Sequence, residues 1–261
     1  QGYGDTLQFC RYARLACERG ARVVLEVHPA LKGVLSRLEG VSQVVSREEP
    51  TSDVDFHCQL LSLPLAFRTT LETIPSGERY LAAEPQRVER WRARLGERRG
   101  FRVGLVWSGG LRPDEPEYWS ANARRNIELQ RLRELAHPRI EYVSLQKGQP
   151  AEAEPQELRR RGWSGPRLAE WPRELSDFAE TAALIENLDL VVSVDTAAAH
   201  LAAALGKPTW ILSRFDGCWR WLLGRSDSPW YPSVRLFRQQ TPGSWEDVIR
   251  QVRDELFRLV A

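Results

Sequence analysis

The amino-acid sequence predicts an α/β fold of two domains, each built on a parallel sheet. Three observations carry that prediction: short β-branched runs alternate with segments of helical apolar spacing, the alternation occurs twice, and a stretch crowded with Arg and Glu separates the two series. At 261 residues the chain has room for two modest domains.

The first series opens with a glycine-rich turn, Gly2-Tyr3-Gly4-Asp5. It leads into a helix whose apolar positions Leu7, Cys10, Ala13 and Cys17 share a face, and Gly20 ends it. Arg22 to Val27 then reads as a strand, Pro29 to Leu38 as a helix and Val41 to Val45 as a strand. In a parallel-sheet domain such a glycine turn follows a buried strand. With Gln1 at the start and no Met in the chain, the expectation is that this first strand is missing and that other sequence precedes Gln1. The first domain is placed at residues 1–83. Residues 84–100 offer only Val88, Trp91 and Leu95 as an apolar stripe and read as a linker helix.

The second domain, residues 101–243, repeats the pattern. Phe101 to Trp107, Ile140 to Leu145, Leu188 to Val194 and Thr209 to Leu212 read as strands. Ile127 to Ala136, Glu152 to Arg161, Leu175 to Asn187 and Ala197 to Leu205 read as helices, the last stopped by Gly206 and Pro208. Residues 244–261 form an amphipathic helix with Val248, Val252, Leu256 and Leu259 on one face.

Charge and cysteine usage narrow the function classes. With 37 basic against 35 acidic residues, no long-range field marks the chain for nucleic acid or an anionic membrane, so phosphate binding must be local. No apolar run approaches the roughly 20 residues of a transmembrane helix. Cys10 and Cys17 would stand about 10 Å apart on one helix, too far for a disulfide. No C-x-x-C pair occurs and the four histidines lack zinc-finger spacing, so a reduced, cytoplasmic setting without structural zinc is expected. Asp53-Val54-Asp55-Phe56-His57 contains a D-x-D pattern, but the exposed side of a strand explains it more cheaply than a metal site.

The segment richest in chemistry is the apolar strand Leu188 to Val194 followed by Asp195-Thr196 and a helix of small residues. A parallel strand delivers ligands to the N-terminus of the next helix, where free N–H groups and the dipole attract phosphate. Ala197, Ala198 and Ala199 permit close backbone approach, and His200, four residues after Thr196, faces the same side. A capped helix start with a satisfied histidine accounts for these residues equally well.

At the end of the first strand of this domain, Ser108-Gly109-Gly110 offers glycines whose N–H groups could meet an anion, although such a loop is most often only a turn. An extended segment, Pro113 to Ala123, then leads to Arg124-Arg125-Asn126 before a helix, where guanidinium groups could clamp a diphosphate against the mild opposition of the helix dipole. Lys147, in Ser144-Leu145-Gln146-Lys147-Gly148, is either a phosphate ligand or a solvated lysine of a surface turn. Asp5 is either a helix cap or a carboxylate displayed across the cleft as a base, and the two roles are compatible. The tryptophans Trp219, Trp221 and Trp230 are expected to pack around the domain junction.

Together these motifs, with Val106-Trp107-Ser108-Gly109, Arg125-Asn126-Ile127 and the run Asp195 to Pro208, resemble glycosyltransferase family nine, and especially the glycosyltransferase domains at the end of bacterial tetratricopeptide-repeat proteins. The resemblance implies a GT-B fold of two facing Rossmann-like domains and a nucleotide-sugar donor, ADP-heptose in the heptosyltransferases, with no required metal or other cofactor. It implies that Asp195, Thr196 and His200 contact the donor's diphosphate or ribose, assisted by Ser108, Gly109 and a cation at Arg125 or Lys147. Asp5 matches the aspartate assigned as catalytic base. The insert Pro113 to Trp119 departs from the heptosyltransferases of lipopolysaccharide synthesis.

The expected activity is transfer of a sugar from a nucleotide donor to a protein or cell-surface glycan, inverting if Asp5 is the base, with an N-terminal repeat domain as a possible recruiter of the acceptor. The rival is a catalytically silent GT-B remnant that binds a nucleotide or protein partner. A dinucleotide oxidoreductase is set aside because no G-x-G-x-x-G turn with a following acidic residue occurs.

Overall fold

The computed structural model describes residues 2–49, 54–77, 79–110 and 119–261. The helix expected after the glycine turn is two helices, α1 (Tyr3–Phe9) and α2 (Tyr12–Glu18). Arg11 stands at the break. The guanidinium of Arg11 donates to the Gln8 carbonyl (2.8 Å), while the backbone tightens into a bond from the Ala13 N–H to the Cys10 carbonyl. The predicted stripe is cut accordingly: Leu7, Cys10 and Ala13 are buried but Cys17 is exposed, and all four cysteines are free.

Strand β1 (Val23–Val27), helix α3 (Pro29–Leu35) and strand β2 (Val41–Ser46) follow as expected, with β1 and β2 parallel. Pro29 opens α3, and His28 accepts from the Ala30 N–H at 3.2 Å as its cap. The strand expected around Asp53 to His57 is not present among the described residues. Asp53 lies outside the described residues, while Asp55 and His57 are exposed and outside any strand, so the pleat that was to align them does not exist. A short helix α4 (Leu63–Ala66) precedes α5 (Pro85–Leu95), whose Val88, Trp91 and Leu95 face the core as predicted. The Trp91 indole donates to Glu180 at 2.8 Å.

The second half of the chain forms a six-stranded sheet from β3 (Phe101–Val106), β4 (Ile140–Ser144), β5 (Leu168–Ala169), β6 (Leu190–Val194), β7 (Thr209–Ser213) and β8 (Val234–Arg238), ordered β5-β4-β3-β6-β7-β8 with every pairing parallel. Counted within this sheet the order is 3-2-1-4-5-6, the doubly wound arrangement whose winding reverses between β3 and β6. The outer strands β5 and β8 are additions to the sequence-based expectation. Helices α8 (Phe178–Glu186) and α9 (Ala197–Ala204) bury one face; α10 (Glu246–Leu259) covers the other through Val248, Val252 and Leu256, with α7 (Glu154–Arg160) beside it. The helix expected at Ile127 to Ala136 is a 3-10 helix, Leu129–Leu135, because Leu129, Leu132 and Leu135 recur every three residues and all are buried.

One correction bears on the site. Of the segment Pro113 to Ala123, expected to be extended, residues 113–118 lie outside the described residues and the remainder belongs to helix α6 (Trp119–Arg125). Arg124 and Arg125 therefore sit in the last turn of a helix, where the dipole favours a cation, rather than at a helix start.

The two halves share a core. Residues of α1, α2, β1 and α3 pack in one apolar cluster with those of α8 and α9, and the N–H groups of Tyr80 and Leu81 bond to the Ala204 carbonyl at the end of α9. No helix among the described residues is long and apolar enough to cross a membrane.

Candidate functional site

Strands β3 and β6 lie side by side with Val106 paired to Ser193, so their carboxyl ends open together at the reversal point of the sheet. This is where doubly wound sheets take their ligands. Beyond β3, the N–H groups of Trp107 and Ser108 both donate to Gln146 Oε1 (3.1 and 3.0 Å), and the Gly109 N–H donates to Asn126 Oδ1 (2.9 Å). Side chains from the ends of β4 and α6 thus already engage the Ser108 and Gly109 N–H groups that the sequence offered to an anion. Gly109 has another use. A Cβ there would fall 2.6 Å from Arg125 Cζ, so only glycine lets the guanidinium lie against the loop. From that seat Arg125 donates to the Asp195 carbonyl (2.8 Å) and to Asn122 Oδ1 (2.5 Å), tying the two strand ends together.

Beyond β6, Thr196 has the extended conformation of a helix cap (φ −137°, ψ 169°), yet its hydroxyl pairs with Ser193 Oγ at 2.9 Å and makes no cap hydrogen bond. The first N–H groups of α9 are left without a capping side chain. His200 is buried: its Nδ1 meets the Tyr231 hydroxyl at 2.9 Å, its ring lies on Trp221, and its Nε2 is 3.7 Å from Asp195 Oδ1. The satisfied histidine of the plainer reading is therefore present, whereas its capped helix start is not. Burial raises the pKa of the Asp195 carboxyl, but the neighbouring His200 side chain, the Arg125 charge and the Trp221 indole outweigh it and hold the carboxyl below its ordinary value. An ionised Asp195 suits accepting a hydroxyl or orienting His200, whereas the uncapped N–H groups of α9 suit an anion.

The first domain reaches this cluster through Gly4. A Cβ on Gly4 would stand 2.9 Å from His200 Cδ2 and 3.7 Å from Ala197 Cα, so α1 meets α9 at the very turn that carries the site. Asp5 stands in the first turn of α1, where its Oδ2 accepts from the Gly2 N–H (3.0 Å) at the start of the helix, and its Oδ1 accepts from Arg220. Lys147 is not drawn into the cluster. Its ammonium bonds the Pro172 carbonyl and lies 3.8 Å from Glu152.

Several residues that build the site were not singled out from sequence. Asn126 and Gln146 order the Ser108-Gly109 loop, and Tyr231 holds His200. Behind Tyr231, buried Arg11 donates to the Trp230 carbonyl (2.6 Å) and the Tyr80 hydroxyl (2.9 Å) and lies over the Tyr231 ring. Burial pushes the Tyr231 phenol up to about 12, so it stays protonated and can donate to the histidine. The aromatic packing expected at the junction is present: Trp230 meets Phe9 edge-on at 5.5 Å and Trp219 at 6.4 Å.

Comparison with known proteins agrees with this architecture. Residues 174–212, which contain α8, β6, the Asp195 to His200 segment and most of β7, match the family model of glycosyltransferase family 9 (heptosyltransferase). The chain is 32% identical over 196 residues to Protein FlbA of Caulobacter vibrioides, a match covering 73% of this chain and spanning 31% of that protein's length. Its fold is similar to that of ADP-heptose lps heptosyltransferase II of E. coli (TM-score 0.61, 14% identity, 99% of this chain and 96% of that one). It is also similar to that of a family 9 glycosyl transferase from Veillonella parvula (TM-score 0.61, 10% identity, 92% and 84%). The segment that carries Asp195, Thr196 and His200 thus matches the glycosyltransferase family 9 model, and the chain around it has a GT-B fold similar to that of the heptosyltransferase structure.

Proposed function

We propose that the chain is a glycosyltransferase domain that moves a sugar from a nucleoside-diphosphate donor to a protein or glycan acceptor. One observation carries the reading: at the reversal point of a doubly wound sheet, α9 begins with uncapped N–H groups beside Asp195 and His200, with Arg125 bridging from the neighbouring strand end. The diphosphate lies at the start of α9, where N–H groups and guanidinium groups take up its charge without a metal ion. Asp195 accepts a ribose or sugar hydroxyl, and His200, fixed by Tyr231 and Trp221, donates to an oxygen of the donor. Asp5 lies across the interface as the group that takes the acceptor's proton, and direct displacement from that side inverts the anomeric centre. ADP-heptose is the first donor to try, since it appears in the name of a structural neighbour. Isothermal titration with ADP, UDP and GDP tests the core of this reading; absence of binding to all three, or binding unchanged in Asp195→Ala and His200→Ala, sinks it.

A second reading, a silent module that binds the nucleotide without turnover, draws on a specific observation. Both carboxylate oxygens of Asp5 are already engaged, by the Gly2 N–H and by Arg220, which leaves the base no free oxygen for an acceptor proton. Transfer or donor hydrolysis that disappears in Asp5→Ala separates the enzyme from the module.

A further inference from the structure

We propose that Arg220 is a ligand of the donor's diphosphate, and that Asp5 is the anion it gives up when the donor arrives. This rests on the nucleoside-diphosphate reading above. The guanidinium of Arg220 has donors to spare. One Nη bonds Asp5 Oδ1, the other points only at Cys218 Sγ (2.9 Å), and the buried Nε has no partner among the described residues. Thiol sulfur is a weak acceptor, so a fork of five donors is held by a single carboxylate oxygen. The side chain is only 13% exposed and lies over the Trp219 ring at 4.8 Å, which fixes its plane inside the junction rather than leaving it in solvent.

Its position is adjacent to the site on two sides. Trp221, the next residue but one from Trp219, carries the His200 ring, and Asp5 follows Gly4, which lies against His200 and the first residue of α9. A diphosphate at the start of α9 brings several oxygens and more charge than one carboxylate, in the geometry a guanidinium binds bidentately. Exchange of partners has a second effect. Asp5 Oδ2 stays on the Gly2 N–H, so the carboxylate keeps its place while Oδ1 becomes free to accept the proton of an acceptor hydroxyl. Donor binding and exposure of the base are thereby one event, which removes the objection that Asp5 is already engaged.

The test is a double-mutant cycle on the whole chain, read by titration with ADP, UDP and GDP. Asp5→Asn keeps the shape and an acceptor for the Gly2 N–H but releases Arg220, and is expected to tighten binding about five- to tenfold. Arg220→Gln is expected to weaken binding about tenfold or more, with Arg220→Lys intermediate. In the Arg220→Gln background Asp5→Asn is expected to change nothing. Tightening that persists in that background marks a general charge effect and overturns the proposal, as does an unchanged affinity in either single variant. Wild-type chain that binds none of the three diphosphates removes the nucleotide reading itself, and this proposal with it.

Discussion

The imidazole of His200 lies on the indole of Trp221, with ring centroids 5.1 Å apart and planes 19° from parallel. Trp221 is fully buried, so it supplies both a stacking surface for the histidine and a filled volume at the domain junction. Trp221→Ala is expected to cost about 3–5 kcal/mol of stability by urea denaturation, the range for buried aromatic truncations. Trp221→Phe keeps a ring under His200 and should cost less than half as much. Equal losses in the two variants would show that the stack contributes nothing.

Gly109 and Gly110 are neighbours with opposite expectations. A Cβ at Gly109 meets the Arg125 guanidinium, whereas one at Gly110 meets no described atom within 4 Å. Because the obstructing group is the end of a flexible side chain, Gly109→Ala is expected to cost no more than about 1–3 kcal/mol while displacing Arg125 from the Asp195 carbonyl. Nucleoside-diphosphate affinity should then fall by about tenfold, as for loss of one charge-assisted hydrogen bond, and Gly110→Ala should bind as wild type. Equal affinities in the two alanine variants would contradict the role assigned to Arg125.

How far these relationships were legible in the sequence depends on the range of the forces involved. The apolar run of β6, the small-residue helix after it and the Gly206 stop are local signals, and they located β6 and α9 correctly. The stripe of α5 was legible for the same reason. The break after α1 was not, because it depends on Arg11, whose partners include Trp230, 219 positions away. The partners of the Ser108-Gly109 loop were not legible, because Gln146 and Asn126 come from other elements and leave no periodic trace. The placement of Arg125 at a helix start was wrong: it lies in the last turn of α6, where the helix dipole favours a cation.

Acid should weaken the site through Asp195. Burial raises its pKa, but the neighbouring His200 side chain and the charge of Arg125 hold it below the ordinary value. A carboxyl depressed in the folded state adds stability that is fully present above its unfolded pKa, about 3.9, and is lost as pH falls through the folded value. Asp195→Asn is therefore expected to melt below wild type at pH 6–7, with the difference shrinking below about pH 4. A constant difference from pH 7 to pH 3 would mean that the ionised carboxyl is not stabilised by its neighbours.

Arg11 offers the clearest separation of charge from shape. It is 4% exposed and has no carboxylate among its hydrogen-bond partners, which are the carbonyls of Gln8, Pro75 and Trp230 and the hydroxyl of Tyr80; its guanidinium also lies over the Tyr80 and Tyr231 rings at 4.4 and 4.6 Å. Planar donors pointing in four directions make that network, and an ammonium on a flexible stem cannot reproduce it. Arg11→Ala and Arg11→Lys are both expected to lower stability by about 2–4 kcal/mol, since each strands buried acceptors. If charge alone mattered, the lysine variant would recover most of the loss. Because Arg11 bonds the Trp230 carbonyl and lies over the Tyr231 ring, and Tyr231 holds His200, Arg11→Lys should also weaken nucleotide binding in conditions where the chain remains folded. A lysine variant with wild-type stability and wild-type affinity would show that the guanidinium fork has no part in positioning the histidine.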